Sequence, residues 1–80
     1  MKVNRAIMHS MGIRIRAARE LLGLTQYQLA TMLEVDRTSI ADWEAGNSMI
    51  HTSHLPHLAE ILNVSILYFF EGASPDDAPP

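Results

Sequence analysis

Apolar positions along the chain recur at helical spacing in successive segments, and nowhere do they alternate with period two for long enough to make a strand. In the first segment Ile13, Ala17, Ala18, Leu21 and Leu22 form a stripe inside an arginine-rich stretch, and Gly23 supplies a left-handed stop. The start of this helix is open: Ser10 can cap it, or one longer helix can run from near Val3. The next boundary is sharper. Thr25 and Gln28 have the spacing of a capping box, each side chain able to accept the other's free backbone N–H, while Leu24 and Leu29 hold the two positions of a hydrophobic staple. A second helix therefore begins at Gln26, buries Leu29, Ala30 and Leu33, and loses its pattern at Glu34. Asp36 caps a third helix, with Ile40 and Trp43 inward and Gly46 as its stop. Ser53 can cap a fourth, with Pro56 in the first turn, where backbone amides have no intrahelical acceptor, and Leu55, Leu58, Ala59 and Leu62 as its stripe. Ser65 opens a short fifth helix, Ile66 to Glu71, stopped by Gly72. The fold class is all-α.

Eighty residues suffice for one small core, and with no cysteine the apolar 48% of the chain must stabilise it without disulfides or a thiolate metal cage. A domain is expected over residues 12–72. Residues 1–11 are an amino-terminal extension or the start of the first helix. The tail 73–80 has three prolines and two aspartates, and is expected to be disordered. No apolar run approaches the ~18 residues of a membrane span, and the amino end lacks the charged-then-apolar order of a signal peptide. A glycine-rich phosphate loop, a cysteine nucleophile and a pair of carboxylates in a plausible pocket are all missing, so no catalytic residue and no cofactor is expected.

Charge changes the picture. A formal net charge of −3 argues against nucleic acid, whose affinity comes largely from Lys and Arg neutralising phosphates. The average hides a division, because residues 1–37 carry all six basic residues and a net +3, while residues 38–80 carry six acids and no Lys or Arg. One face can therefore meet an anionic partner.

Two short helices joined by a tight turn, with a basic helix before them and two helices after, describe a helix-turn-helix. At Gly23-Leu24-Thr25-Gln26, Gln28-Leu29-Ala30, Val35, Ile40, Trp43-Glu44, Gly46, Leu58-Ala59 and Leu62-Asn63-Val64-Ser65 the sequence resembles the Cro/C1-type helix-turn-helix family. Lambdoid phage repressors and Cro proteins, restriction-modification controller proteins and some antitoxins belong to it. The resemblance implies a five-helix, lambda-repressor-like domain that binds a palindromic operator in double-stranded DNA as a homodimer; with eighty residues and no large second domain, a cytoplasmic repressor without a small-molecule ligand is expected. The resemblance also implies that Gln26 contacts phosphate and that Arg37, Thr38, Ala41 and Asp42 face the bases. By chemistry, Arg37 can pair with guanine O6 and N7, Thr38 can bond a base edge or touch a thymine methyl, and Asp42 can accept from cytosine N4. Ser39, Asn47, Arg14 and Arg16 are further phosphate candidates, with Arg5 beside them. Arg19 and Glu44 match a pair that bridges the first and third helices in relatives. The alternatives are a restriction-modification controller or antitoxin-type autoregulator within the DNA-binding class, and an adaptor of the same fold that binds protein rather than DNA.

Three features depart from the family pattern. Glu34 stands where a glycine is common in the turn, and a left-handed conformation there costs on the order of 1 kcal/mol. The loop after Gly46 lacks basic residues. Leu67 and Tyr68, with Ile66, Phe69 and Phe70, place more apolar surface on the fifth helix than one core can bury, so Ile66, Leu67, Tyr68 and Phe69 are expected at a dimer interface. His51, His54 and His57 repeat at a spacing of three, which drifts around a helix, so exposed polarity is expected there and a metal site is not.

Overall fold

The computed structural model describes residues 5–71. Gly72, expected to stop the fifth helix, and the proline-rich tail lie outside them, as does Val3. Four α-helices follow in order: α1 (Arg5–Leu21), α2 (Gln26–Leu33), α3 (Arg37–Ala45) and α4 (Leu55–Leu62). Two 3₁₀ segments, Thr52–His54 and Ile66–Phe70, flank α4, and no strand occurs among the described residues. The class is all-α as expected, but the fifth element is 3₁₀ rather than α. Tyr68 donates to the Ser65 carbonyl and Glu71 to that of Tyr68, the three-residue spacing that short, sharply anchored segments favour.

Local chemistry explains most boundaries. The capping box at Thr25 and Gln28 is formed in both directions, at 3.0 and 2.8 Å. Gly23 and Gly46 take the left-handed conformation at φ 71 and 75, and so, without the freedom of glycine, do Glu34 and Asn63 at φ 62 and 58. The turn between α2 and α3 therefore keeps its left-handed residue even though a glutamate fills it. Asp36 holds the cap position of α3, but its side chain makes no cap bond. Ahead of α4 the expectation fails: Ser53 lies within a 3₁₀ turn whose own cap is His51, its Nδ1 accepting the Ser53 backbone N–H at 3.1 Å, and His54, at the cap position of α4, makes no side-chain cap bond. The chain spends one 3₁₀ turn before α4 starts at Leu55.

The core centres on Ile15, Leu29, Ile40, Leu58 and Phe69, all fully buried, with Trp43 beside them as expected. In α1 the buried stripe is Met11, Ile15 and Ala18, with Gly12 and Arg19. The predicted stripe is correct only at Ala18: Ile13, Ala17, Leu21 and Leu22 are exposed. α1 carries two apolar stripes, and composition cannot choose between them. Close packing against α3 does. A Cβ at Gly12 would lie 2.3 Å from the Trp43 carbonyl oxygen and 2.6 Å from that of Glu44, so α1 meets the α3 backbone along the face that contains Gly12. Seven residues on, at nearly the same angle around the helix, Arg19 faces α3 too.

Arg19 binds Glu44 through two nitrogens, Nε to Oε2 at 2.6 Å and Nη2 to Oε1 at 3.0 Å, and its Nη1 donates to the Leu24 carbonyl at 2.7 Å. The expected pair is thus buried and bidentate. Among the described residues no buried side-chain nitrogen or oxygen lacks a partner. Hydrogen bonding to Glu44 holds the Arg19 guanidinium above its ordinary pKa against the opposing effect of burial. A raised value means that the bond contributes fully below the ordinary arginine range and is lost only at still more alkaline pH. Two substitutions test this packing by urea denaturation. Gly12→Ala is expected to cost about 2–3 kcal/mol, because backbone must move to admit a methyl group. Arg19→Ala, which strands the Glu44 carboxylate, is expected to cost ~3–5 kcal/mol, and Arg19→Ala/Glu44→Ala less than the sum of the single changes.

Candidate nucleic-acid interface

α3 presents one face to the core and one to solvent. Ile40, Trp43 and Glu44 are buried, while Arg37, Thr38 and Asp42 are exposed and Ala41 is half-buried between them. The four residues expected to read bases therefore share an open helix face. A free helix face of this kind fits a major groove roughly 12 Å wide. The carboxylate of Asp42 has no side-chain partner among the described residues, and in particular is not paired with Arg37.

The buried pair extends outward to this face. Gln26 donates from Nε2 to Glu44 Oε1 at 3.0 Å, and its Oε1 accepts from Arg37 Nη1 at 3.2 Å. One chain of bonds thus runs from α1 through α3 and the first residue of α2 to the first residue of α3. The sequence marks Arg19 and Glu44 as a pair and Gln26 and Arg37 as separate contacts; the structure joins all four. This could not be read from spacing, since the link depends on where the turn puts the two helix starts. Gln26 keeps one amide proton and Arg37 most of its guanidinium donors, so both retain bonding capacity toward solvent.

The remaining phosphate candidates separate. Ser39 is half-buried at the flank of α3, and Asn47 is exposed just beyond it, its backbone N–H on the Asp42 carbonyl at 2.9 Å. Arg16 lies on the α3 side of α1 and pairs with Glu20 at 3.4 Å. Arg14 points the other way, toward the Ile66–Phe70 segment, where it pairs with Glu71 at 3.5 Å and its guanidinium sits 5.1 Å from the centre of the Tyr68 ring. It is not on the face that carries Arg37.

The expected dimer residues separate as well. Phe69 is fully buried in the core of its own chain, and Tyr68 is half-buried with its hydroxyl donating to the Arg14 carbonyl at 3.2 Å. Phe69 is thus taken up by the core of its own chain, because a short 3₁₀ segment must turn one side inward to stay attached, whereas Tyr68 keeps part of its ring at the surface. Ile66, Leu67 and Phe70 remain exposed. Of the histidines, His51 is used as a cap, His54 lies with its ring centre 5.7 Å from that of Trp43, and His57 is exposed on α4. Among the described residues no three His, Cys, Asp or Glu side chains are grouped to hold a metal ion, and no helix is long and apolar enough to cross a membrane.

Comparison with known proteins places this arrangement. The helix-turn-helix family profile matches residues 15–69. Proteins of Sinorhizobium medicae (strain WSM419) and Rhizobium meliloti (strain 1021), each described as an uncharacterized HTH-type transcriptional regulator, are 37% identical over 65 residues, which is 81% of this chain and 47% of each relative. The chain spans about half the length of these curated relatives. Among solved structures, the restriction-modification controller protein C.AhdI from Aeromonas hydrophila is similar with a TM-score of 0.74 at 27% identity, over 79% of this chain and 96% of that one. The clp gene regulator ClgR from Corynebacterium glutamicum shares the fold, with a TM-score of 0.79 at 21% identity over 90% of this chain and 77% of its own. The matched segment begins within α1 and ends within the last 3₁₀ segment, enclosing the whole bonded chain from Arg19 to Arg37, and the protein belongs to the Cro/C1-type helix-turn-helix family.

Proposed function

We propose that this protein is a sequence-specific, DNA-binding transcriptional regulator. The observation that carries this reading is the solvent face of α3, where Arg37, Thr38, Ala41 and Asp42 stand together on a helix fixed from behind by Arg19 and Glu44. Arg37 reads guanine, Thr38 an adjoining base edge or methyl group, and Asp42 the amino group of cytosine. Gln26, Ser39, Asn47 and Arg16 hold the backbone. The likeness to named transcriptional regulators and to a controller protein supports this class over a protein-binding adaptor.

Binding to a palindromic operator needs a dimer, and the exposed apolar surface offers a place for one. Leu21 is 87% and Leu67 72% exposed, and a cleft of about 390 Å³ lies between α1 and the end of α4, lined in part by Ala17, Leu22, Val64 and Tyr68. The stripe Ile13, Ala17, Leu21 on α1 has the four-residue spacing that packs helix on helix. A second copy related by a two-fold axis covers this stripe together with Ile66 and Leu67. The resulting half-sites lie about one DNA turn apart, roughly 34 Å.

Two experiments test these readings. Selection of bound duplexes from a random pool, followed by anisotropy titrations, is expected to yield a two-fold symmetric site; Arg37→Ala then costs ~1–3 kcal/mol on that site and relaxes one position, with a smaller loss on random DNA. Equal losses on both would remove Arg37 from base reading, and absence of DNA binding at low salt would favour the adaptor. Sedimentation equilibrium is expected to show a dimer for the unaltered chain and a folded monomer for Leu21→Glu/Leu67→Glu. A monomer at every soluble concentration of the unaltered chain would refute the interface.

A further inference from the structure

Of the five arginines, Arg14, Arg16 and Arg19 are each paired with a carboxylate, whereas Arg5 and Arg37 have no carboxylate partner among the described residues. The two unpaired cations stand at opposite ends of α3. Arg37 is its first residue, and Arg5 lines a cleft of about 280 Å³ at its far end, together with Met8, His9, Ala45, Gly46 and Asn47.

We propose that this cleft is a second backbone clamp for DNA, in which Arg5, His9 and Asn47 hold a phosphodiester group as the duplex leaves the carboxyl end of α3. The inference rests on the DNA-binding reading above and adds residues to it. Its first support is register. Thr38, Ala41, Asp42 and Ala45 follow one another at the spacing of a single helix face, so the stripe that carries the base-reading residues runs directly into the cleft through exposed Ala45. A duplex lying along that stripe passes Arg5.

The second support is packing. Arg5 and His9 are four residues apart, hence on one side of α1, and that side is pressed against the end of α3: a Cβ at Gly46 would stand 3.1 Å from His9 Cα. The cleft is therefore held by backbone, not by a loop free to withdraw. Its chemistry suits an anion, since a guanidinium, an imidazole and a carboxamide line it and no acidic residue does; the nearest carboxylate on the stripe is Asp42, one turn earlier. The clamp also answers a deficit, because residues 46–52 contain no Lys or Arg. The missing positive charge comes from α1, whose first ten residues precede the segment matched by the family profile.

The test is the dependence of duplex affinity on KCl between about 50 and 200 mM, followed by anisotropy, with thermal unfolding as a check on folding. Arg5→Ala is expected to lower the slope of log affinity against log salt by about one, equally on operator and random DNA. Asn47→Ala, which removes a neutral donor, should weaken binding roughly two- to tenfold with the slope unchanged. Arg14→Ala serves as control, because Arg14 faces away from α3, and should leave the slope as it was. If the unaltered chain binds DNA and Arg5→Ala keeps its slope, or if Arg14→Ala lowers it as much, the clamp is refuted while the DNA reading stands. If the unaltered chain binds no DNA at low salt, the reading beneath the proposal has failed and the clamp falls with it.

Discussion

The arrangement depends on how closely α1 approaches α3. With no side chain at Gly12, the two helices meet backbone to backbone, and at that separation the Arg19 guanidinium reaches both oxygens of Glu44. Burial of two charges would be costly on its own; here every donor that matters has an acceptor, since the remaining nitrogen of Arg19 satisfies the Leu24 carbonyl at the entrance to α2. One side chain thus ties together the end of α1, the start of α2 and the inner face of α3. The solvent face of α3 is placed by contacts on its opposite side.

Much of this architecture is legible along the chain because its signals are local. A capping box needs two residues three apart, and a left-handed stop needs one glycine, so the start of α2 and the ends of α1 and α3 are marked by short-range chemistry that can be read without any tertiary contact. The register of α1 is different. Met11, Ile15 and Ala18 compete with Ile13, Ala17 and Leu21 as the buried stripe, and the deciding residue is a glycine, which contributes nothing to an apolar pattern. A mid-helix glycine flanked by good helix formers was the available signal, since its propensity cost asks for a compensating close contact. The entry to α4 differs for a related reason: the 3₁₀ turn before it is capped by the His51 imidazole, which can accept a backbone N–H as a hydroxyl can, but histidine is not counted among capping residues.

The functional face was legible in part. The positions on α3 follow from helical period once its cap and its inward residues are known. The bond from Gln26 to Arg37 and the approach of Arg5 to Asn47 join residues 11 and 42 positions apart, and only the fold brings them together. The charge balance shows the same limit. Among the described residues three of the basic side chains counted in favour of an anionic partner stand beside a carboxylate, Glu20, Glu44 or Glu71, and the two arginines without one, Arg5 and Arg37, lie at opposite ends of one helix.

The bond between Gln26 and Arg37 bears on more than position. An arginine side chain carries about 2 kcal/mol of rotamer entropy, which a flexible reader surrenders on meeting its target. Here part of that ordering has already taken place in the free protein, because the guanidinium is tethered to an amide that is itself tethered to a buried carboxylate. In the proposed complex the first residue of α3 enters the groove partly immobilised, and less of the free energy of each contact is spent on restricting it.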